Sequence, residues 1–131
     1  FMLPSWLRLM DFHYTEGQIS AKLGNFRERL SLTPSQYFQR NIGIGASCVL
    51  RPDLDMRDDI GLEKIMWGSD FPHPEGSWPN TAQYLTDTFG NFPERDGRKI
   101  LGENAVEFYG LDRPRLQAIA DDIGPTTAIF N

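Results

Sequence analysis

The sequence predicts an α/β fold organised round a parallel pair of strands, and three observations carry that prediction. "NIGIGASCVL" is an apolar, small-residue run of the kind buried in parallel sheets, expected as a strand over about Ile42 to Cys48. "LEKIMWGSD" is a second apolar run, expected as a strand over about Lys64 to Gly68. Between them "RPDLDMRDDIG" reads as a short helix with Asp53 as N-cap and Gly61 as its stop. Residues 42–68 thus form a compact βαβ unit, which requires a crossover and a parallel pair.

Proline and glycine divide the remainder into helices. Pro4 followed by Trp6, Leu7, Met10 and Tyr14 gives a one-faced helical pattern to about Tyr14, with a weaker continuation toward Leu23 before Gly24. In "TPSQYFQR", Thr33 is the expected N-cap, Pro34 the first helical residue and Gln36 the third position of a capping box. After the second strand, "WPNTAQYLTDTFG", "PERDGRKILG" and "ENAVEFYG" read as helices stopped at Gly90, Gly102 and Gly110, and "RPRLQAIADDIGP" adds a last one. Two strands alone cannot bury both faces of a parallel sheet, and their free edges invite association. The chain is therefore expected to be part of a larger α/β fold.

Composition narrows the function classes. A length of 131 residues sets one domain as the expectation, and 40% hydrophobic residues supply a real core. The net charge of −5, with acids and bases interspersed, disfavours nucleic acid and anionic membranes as partners. Small molecules or protein surfaces fit better, and the unpaired strand edges make self-association into a homo-oligomer an expectation. A single cysteine excludes an intrachain disulfide framework and suits a reducing compartment, with cytoplasm as the default. "FMLPSWLRLM" lacks the basic flank and apolar run of a signal peptide, and the abrupt apolar start is that of a chain with an upstream segment removed.

The chemistry concentrates in "IMWGSDFPHPEGSWP", residues 65–79. Asp70 follows the second strand, where a rigid scaffold presents a variable loop. It reads either as a metal-ligating and proton-accepting carboxylate or as an aspartate capping a turn. His73 is flanked by Pro72 and Pro74, which forbid a continuous helix, so it lines the loop mouth, orients Asp70, contacts an acidic substrate group or has no specific task. Glu75 reads as solvated. Trp78 reads as a pocket wall or as packing before a helix. Gly68 and Gly76 read as backbone devices. "PDLDMRDD" is no calcium loop, since Arg57 stands fifth and Lys64 replaces the bidentate glutamate at position twelve. Cys48 reads as a buried thiol and His13 as structural.

"IMWGSDFPHPEGSWP" followed by "RKILGENAVEFYGLD", and more weakly "TPSQYFQRNIGIGAS" and "LPSWLRLMD", resembles the C-terminal end of the metal-dependent amidohydrolase-related family, which includes aminocarboxymuconate-semialdehyde decarboxylase and related aromatic-acid decarboxylases. The resemblance implies the C-terminal part of a distorted TIM (β/α)8 barrel over residues 1–131, with "IGIGAS" in its seventh strand and "IMWGSD" in its eighth. It implies a metal-dependent hydrolase or non-oxidative decarboxylase acting on a small cyclic or aromatic carboxylic substrate. Asp70 would then be metal ligand and catalytic residue, His73 and Trp78 substrate-binding, and the cofactor a divalent metal, zinc first with manganese or iron as alternatives. Asn104 would tie a helix start to the barrel. The family's other ligands, an H-x-H or E-x-H pair and a further histidine, have no counterpart here, where the two histidines are His13 and His73. A whole barrel needs roughly 250 residues. The contrasting expectation is a non-catalytic fragment, stable only by association with itself or a partner.

Overall fold

The computed structural model describes residues 2–16 and 26–131. The chain divides into two compact units, Phe1–Ile42 and Gly43–Asn131. Among the described residues no helix is long and apolar enough to cross a membrane.

In the first unit α1 (Leu3–Thr15) begins with Pro4 in its first turn. Proline is tolerated there because its missing N–H would have had no helical partner. In α2 (Pro34–Asn41) the expected capping box is formed. The Thr33 hydroxyl accepts the Gln36 N–H at 3.3 Å, and the Gln36 side-chain carbonyl accepts the Thr33 N–H at 2.9 Å. Asp11 joins the two helices: one carboxylate oxygen accepts the Ser35 N–H at 2.9 Å and the other accepts the Ser35 hydroxyl. His13 is exposed and stands edge-on to the Phe12 ring at 5.6 Å. The continuation expected toward Leu23 lies outside the described residues.

The second unit contains the strand pair. β1 (Ile44–Ser47) and β2 (Ile65–Gly68) are parallel, with Ile44 opposite Ile65 and Ser47 opposite Gly68. The α/β architecture with two parallel strands and several helices is thus as expected, with shorter strands. Burial of β1 on both faces is not found: Gly45 and Ser47 are exposed, because in this two-stranded sheet one face of β1 stays uncovered. Cys48 also departs from expectation. The strand ends before it, so it is exposed, in a left-handed conformation at φ 53°, and not a buried strand thiol.

Between the strands run α3 (Arg51–Asp55) and α4 (Arg57–Ile60). Asp53 is not the N-cap. Helix α3 starts earlier, with Pro52 in its first turn, and Asp53 reaches back to accept the Leu50 N–H at 3.1 Å. Gly61 ends α4 at φ 103°, a backbone region that favours glycine.

Helix α5 (Thr81–Phe89) starts after the Trp78–Pro79 pair rather than at it. Then α6 (Glu94–Arg98), a π-helical turn (Lys99–Glu103) and α7 (Asn104–Tyr109) form one helical run. Gly102 was expected to end a helix and instead lies inside that π turn. Glycine ends a helix when the chain turns left-handed, which Gly110 does at φ 61°. Helix α8 (Arg113–Ile123) follows, capped by Asp112, whose carboxylate accepts the Arg115 N–H at 3.1 Å.

Leu54, Phe89 and Ile100 are fully buried at the centre of this unit. Phe89 meets Phe92 and Phe130 edge-on, with centroids 5.7 and 6.4 Å away. A Cβ at residue 97 would fall 2.2 Å from the Phe130 ring, so α6 crosses that ring at Gly97. Buried Asn104 donates both amide hydrogens, to the carbonyls of Leu62 and Ile65, each at 2.8 Å. The start of α7 is thereby tied to the start of β2, which fixes the strand that carries the site.

Candidate metal centre

The segment from Ser69 to Ser77 leaves the carboxyl end of β2 as a closed loop. The Ser77 N–H donates to the Ser69 carbonyl at 2.9 Å, joining its two ends. Inside it two turns follow one another: the His73 N–H donates to the Asp70 carbonyl at 2.8 Å and the Gly76 N–H to the His73 carbonyl at 3.0 Å. Pro72 and Pro74 hold their φ values and contribute no N–H, so the chain cannot continue as helix. The Phe71–Pro72 and Trp78–Pro79 bonds are both cis. Gly76 is required by space. A Cβ there would lie 2.7, 2.9 and 3.0 Å from the carbonyl oxygens of Ser69, Asp70 and His73.

This closure brings together three groups that could ligate a metal. Asp70 is left-handed at φ 58° and half-buried, and its Oδ1 lies 3.3 Å from His73 Nδ1. Glu75 joins them, and ligand atoms of Asp70, His73 and Glu75 all lie within 4.8 Å of one another. Cys48 pins the loop to the end of β1, its thiol donating to the Glu75 carbonyl at 3.1 Å. The sequence alone predicts a solvated Glu75 side chain. It is exposed, yet the turn that ends at Gly76 sets it beside the other two.

The donor set fits a divalent transition metal. One imidazole and two carboxylates are the ligand types and the protein ligand count of catalytic zinc sites, and manganese or iron accepts the same donors. Ligands at 2.0–2.2 Å from one tetrahedral ion are about 3.4 Å apart. Asp70 and His73 meet that spacing already, at 3.3 Å. The ligand atoms of all three lie within 4.8 Å of one another, and His73 and Glu75 are exposed side chains.

Trp78 is expected as a pocket wall or as packing before a helix. It stands edge-on to Phe71 at 5.7 Å, and both rings are nearly two-thirds exposed. Phe71 is not among the residues that the sequence singles out. Its signal is that it flanks Asp70 and precedes a proline in a loop otherwise polar. Behind the loop, the Tyr84 hydroxyl donates to the Val49 carbonyl, tying α5 to the chain just beyond β1. Burial pushes the Tyr84 phenol above its ordinary value.

Comparison with known proteins falls on this region. The family model described as Amidohydrolase matches residues 55–111, which run from the end of α3 through β2, the loop and α7. Among solved structures, the chain is similar to 5-carboxyvanillate decarboxylase LigW from Sphingomonas paucimobilis, at 25% identity and a TM-score of 0.62. That similarity covers 85% of this chain and 31% of the other, so this chain spans about a third of the length of the structure it matches. The family match over residues 55–111 and the backbone likeness over most of the chain agree with the G-S-D-F-P-H core, and all three point to the amidohydrolase family.

Proposed function

We propose that this chain is the C-terminal part of a metal-dependent amidohydrolase-type barrel, with β1 and β2 as its seventh and eighth strands, and that the whole enzyme hydrolyses or non-oxidatively decarboxylates a small cyclic or aromatic carboxylic substrate. The observation that carries this reading is the convergence of Asp70, His73 and Glu75 just past the end of β2, inside the segment matched by the family model. The similarity to a decarboxylase favours carbon dioxide release over hydrolysis.

Asp70 is the proposed metal ligand, with His73 and Glu75 beside it and the remaining family ligands supplied from elsewhere in the enzyme. When bound, the ion supplies Lewis acidity toward a substrate oxygen and lowers the pKa of bound water. Asp70 would accept the proton that the reacting water gives up, and His73, whose Nδ1 lies 3.3 Å from Asp70 Oδ1, would hold that carboxylate in place. Trp78, with Phe71 against it, supplies an apolar wall for a flat ring. The partner is a small molecule and the setting cytoplasmic.

The test is turnover by the protein extended upstream of Phe1, assayed with aromatic carboxylates for carbon dioxide release and with cyclic amides or lactones for hydrolysis. Asp70→Ala is expected to abolish metal-dependent turnover with the fold nearly intact, and retained activity contradicts the assignment. His73→Ala is expected to change substrate affinity or rate while metal is retained. Loss of metal in that variant would make His73 a direct ligand.

A second reading, a non-catalytic fragment stable only by association, draws on the two-stranded sheet and the uncovered face of β1. It predicts that the upstream extension confers neither stoichiometric metal nor turnover.

A further inference from the structure

Helix α8 has no buried residue, although Leu116, Ile119, Ala120 and Ile123 repeat at the spacing of one helical face. Ile119 and Ile123 are 49% and 77% exposed. The stripe borders a cleft of about 660 Å³ whose opposite wall includes Leu101, Ala105 and Val106. A helix in this state needs a counterpart, and its charges say which one.

Both arginines, Arg113 and Arg115, stand in the first turn of α8, and both aspartates, Asp121 and Asp122, in its last. That order opposes the helix dipole, which favours acids at the start and bases at the end. Arg113 is 3.7 Å from Glu103, and Asp121 accepts the Gln117 amide at 2.7 Å. Arg115 and Asp122 are exposed, and among the described residues neither has an ion-pair partner. They lie about two turns apart on the same flank of the stripe.

We propose that α8 is a self-pairing surface on which a second copy of this chain docks its own α8, antiparallel, about a two-fold axis near Ile119. Antiparallel pairing sets the basic start of each helix against the acidic end of the other. Arg115 then faces Asp122 of the second copy, and the symmetry makes the pair twice. The apolar stripes meet along the axis, and the helix dipoles oppose favourably. A two-fold interface must be self-complementary, and this flank is. Two short helices alone bury less than the ~1,200 Å² of a stable interface, so the cleft wall at Leu101 and Val106 completes the contact. The pairing is independent of whether the loop after β2 binds metal.

Sedimentation velocity on the full 131-residue chain tests this over a range of concentrations. The expected result is a monomer–dimer equilibrium that Arg115→Glu or Asp122→Arg weakens by about tenfold or more, and that Arg115→Glu with Asp122→Arg restores. Ile119→Asp is expected to abolish it, and circular dichroism checks that α8 survives in each variant. A chain that is monomeric throughout, because another segment or partner covers the stripe, overturns the proposal. So does self-association that ignores the single charge reversals, or a double reversal weaker than either single.

Discussion

The two segments that leave the carboxyl ends of the parallel strands do opposite things. Beyond β1, residues 48–50 hand the chain directly to α3: Val49 is buried, its carbonyl accepts the Tyr84 hydroxyl, and the Leu50 N–H is taken by Asp53. Beyond β2, residues 69–80 form a loop closed on itself between Ser69 and Ser77, with Asp70, His73 and Glu75 held at its surface. A short connection has no slack and is used for packing. A longer one, closed by its own carbonyls and stiffened by proline, frees side chains for a ligand without surrendering position. The two meet where the Cys48 thiol donates to the Glu75 carbonyl, so the packed segment braces the chemical one.

That contrast is broken most severely from the core. Phe89→Ala removes a fully buried ring that Phe92 and Phe130 meet edge-on, and is expected to cost about 3–5 kcal/mol in urea unfolding. Metal binding should be lost in step with folding. Asn104→Ala leaves the carbonyls of Leu62 and Ile65 without their donor, for an expected loss of about 1–3 kcal/mol, again read by urea unfolding. Gly76→Ala forces a Cβ against three carbonyl oxygens and is expected to cost a similar ~1–3 kcal/mol while weakening metal affinity more than the core variants do at equal folded fraction. Equal weakening in both would erase the distinction between the two segments.

The smallest effect expected is at Tyr84. Tyr84→Phe removes the hydrogen bond to Val49 and should cost about 1 kcal/mol. Burial raises the phenol's pKa in the folded chain, so the stability it contributes is fully present below the ordinary tyrosine value of about 10. As pH rises further, the unfolded chain ionises first and that stability is lost. Unfolding free energy measured from pH 8 to 11 should fall more steeply in the wild type than in Tyr84→Phe, and identical slopes would contradict the assignment.

Much of this was legible in the chain, because local chemistry sets it. Thr33 and Gln36 cap α2 as their types and spacing require, Gly110 turns left-handed after α7, and the two apolar runs pair in parallel. Asp70 stands out by its place after a strand, and the structure sets it beside His73 and Glu75. What was not legible depends on closure through space. Glu75 reads as solvent-facing until the Ser69–Ser77 bond and the turn at Gly76 bring it round to Asp70. Cys48 reads as strand until the sheet stops at Ser47, and Gly102 reads as a stop until the π turn carries the helix past it. Asp53 lies so close to the helix start that one residue's shift turns a cap into a side chain reaching back.

The central claim is that Asp70 holds a metal at the end of β2. Elemental analysis of purified protein, on this chain and on the form extended upstream, tests it most directly. The account predicts about one divalent transition metal per chain in the extended form, removed by Asp70→Ala with the secondary structure unchanged. An Asp70→Ala protein that keeps its full complement of metal would contradict it.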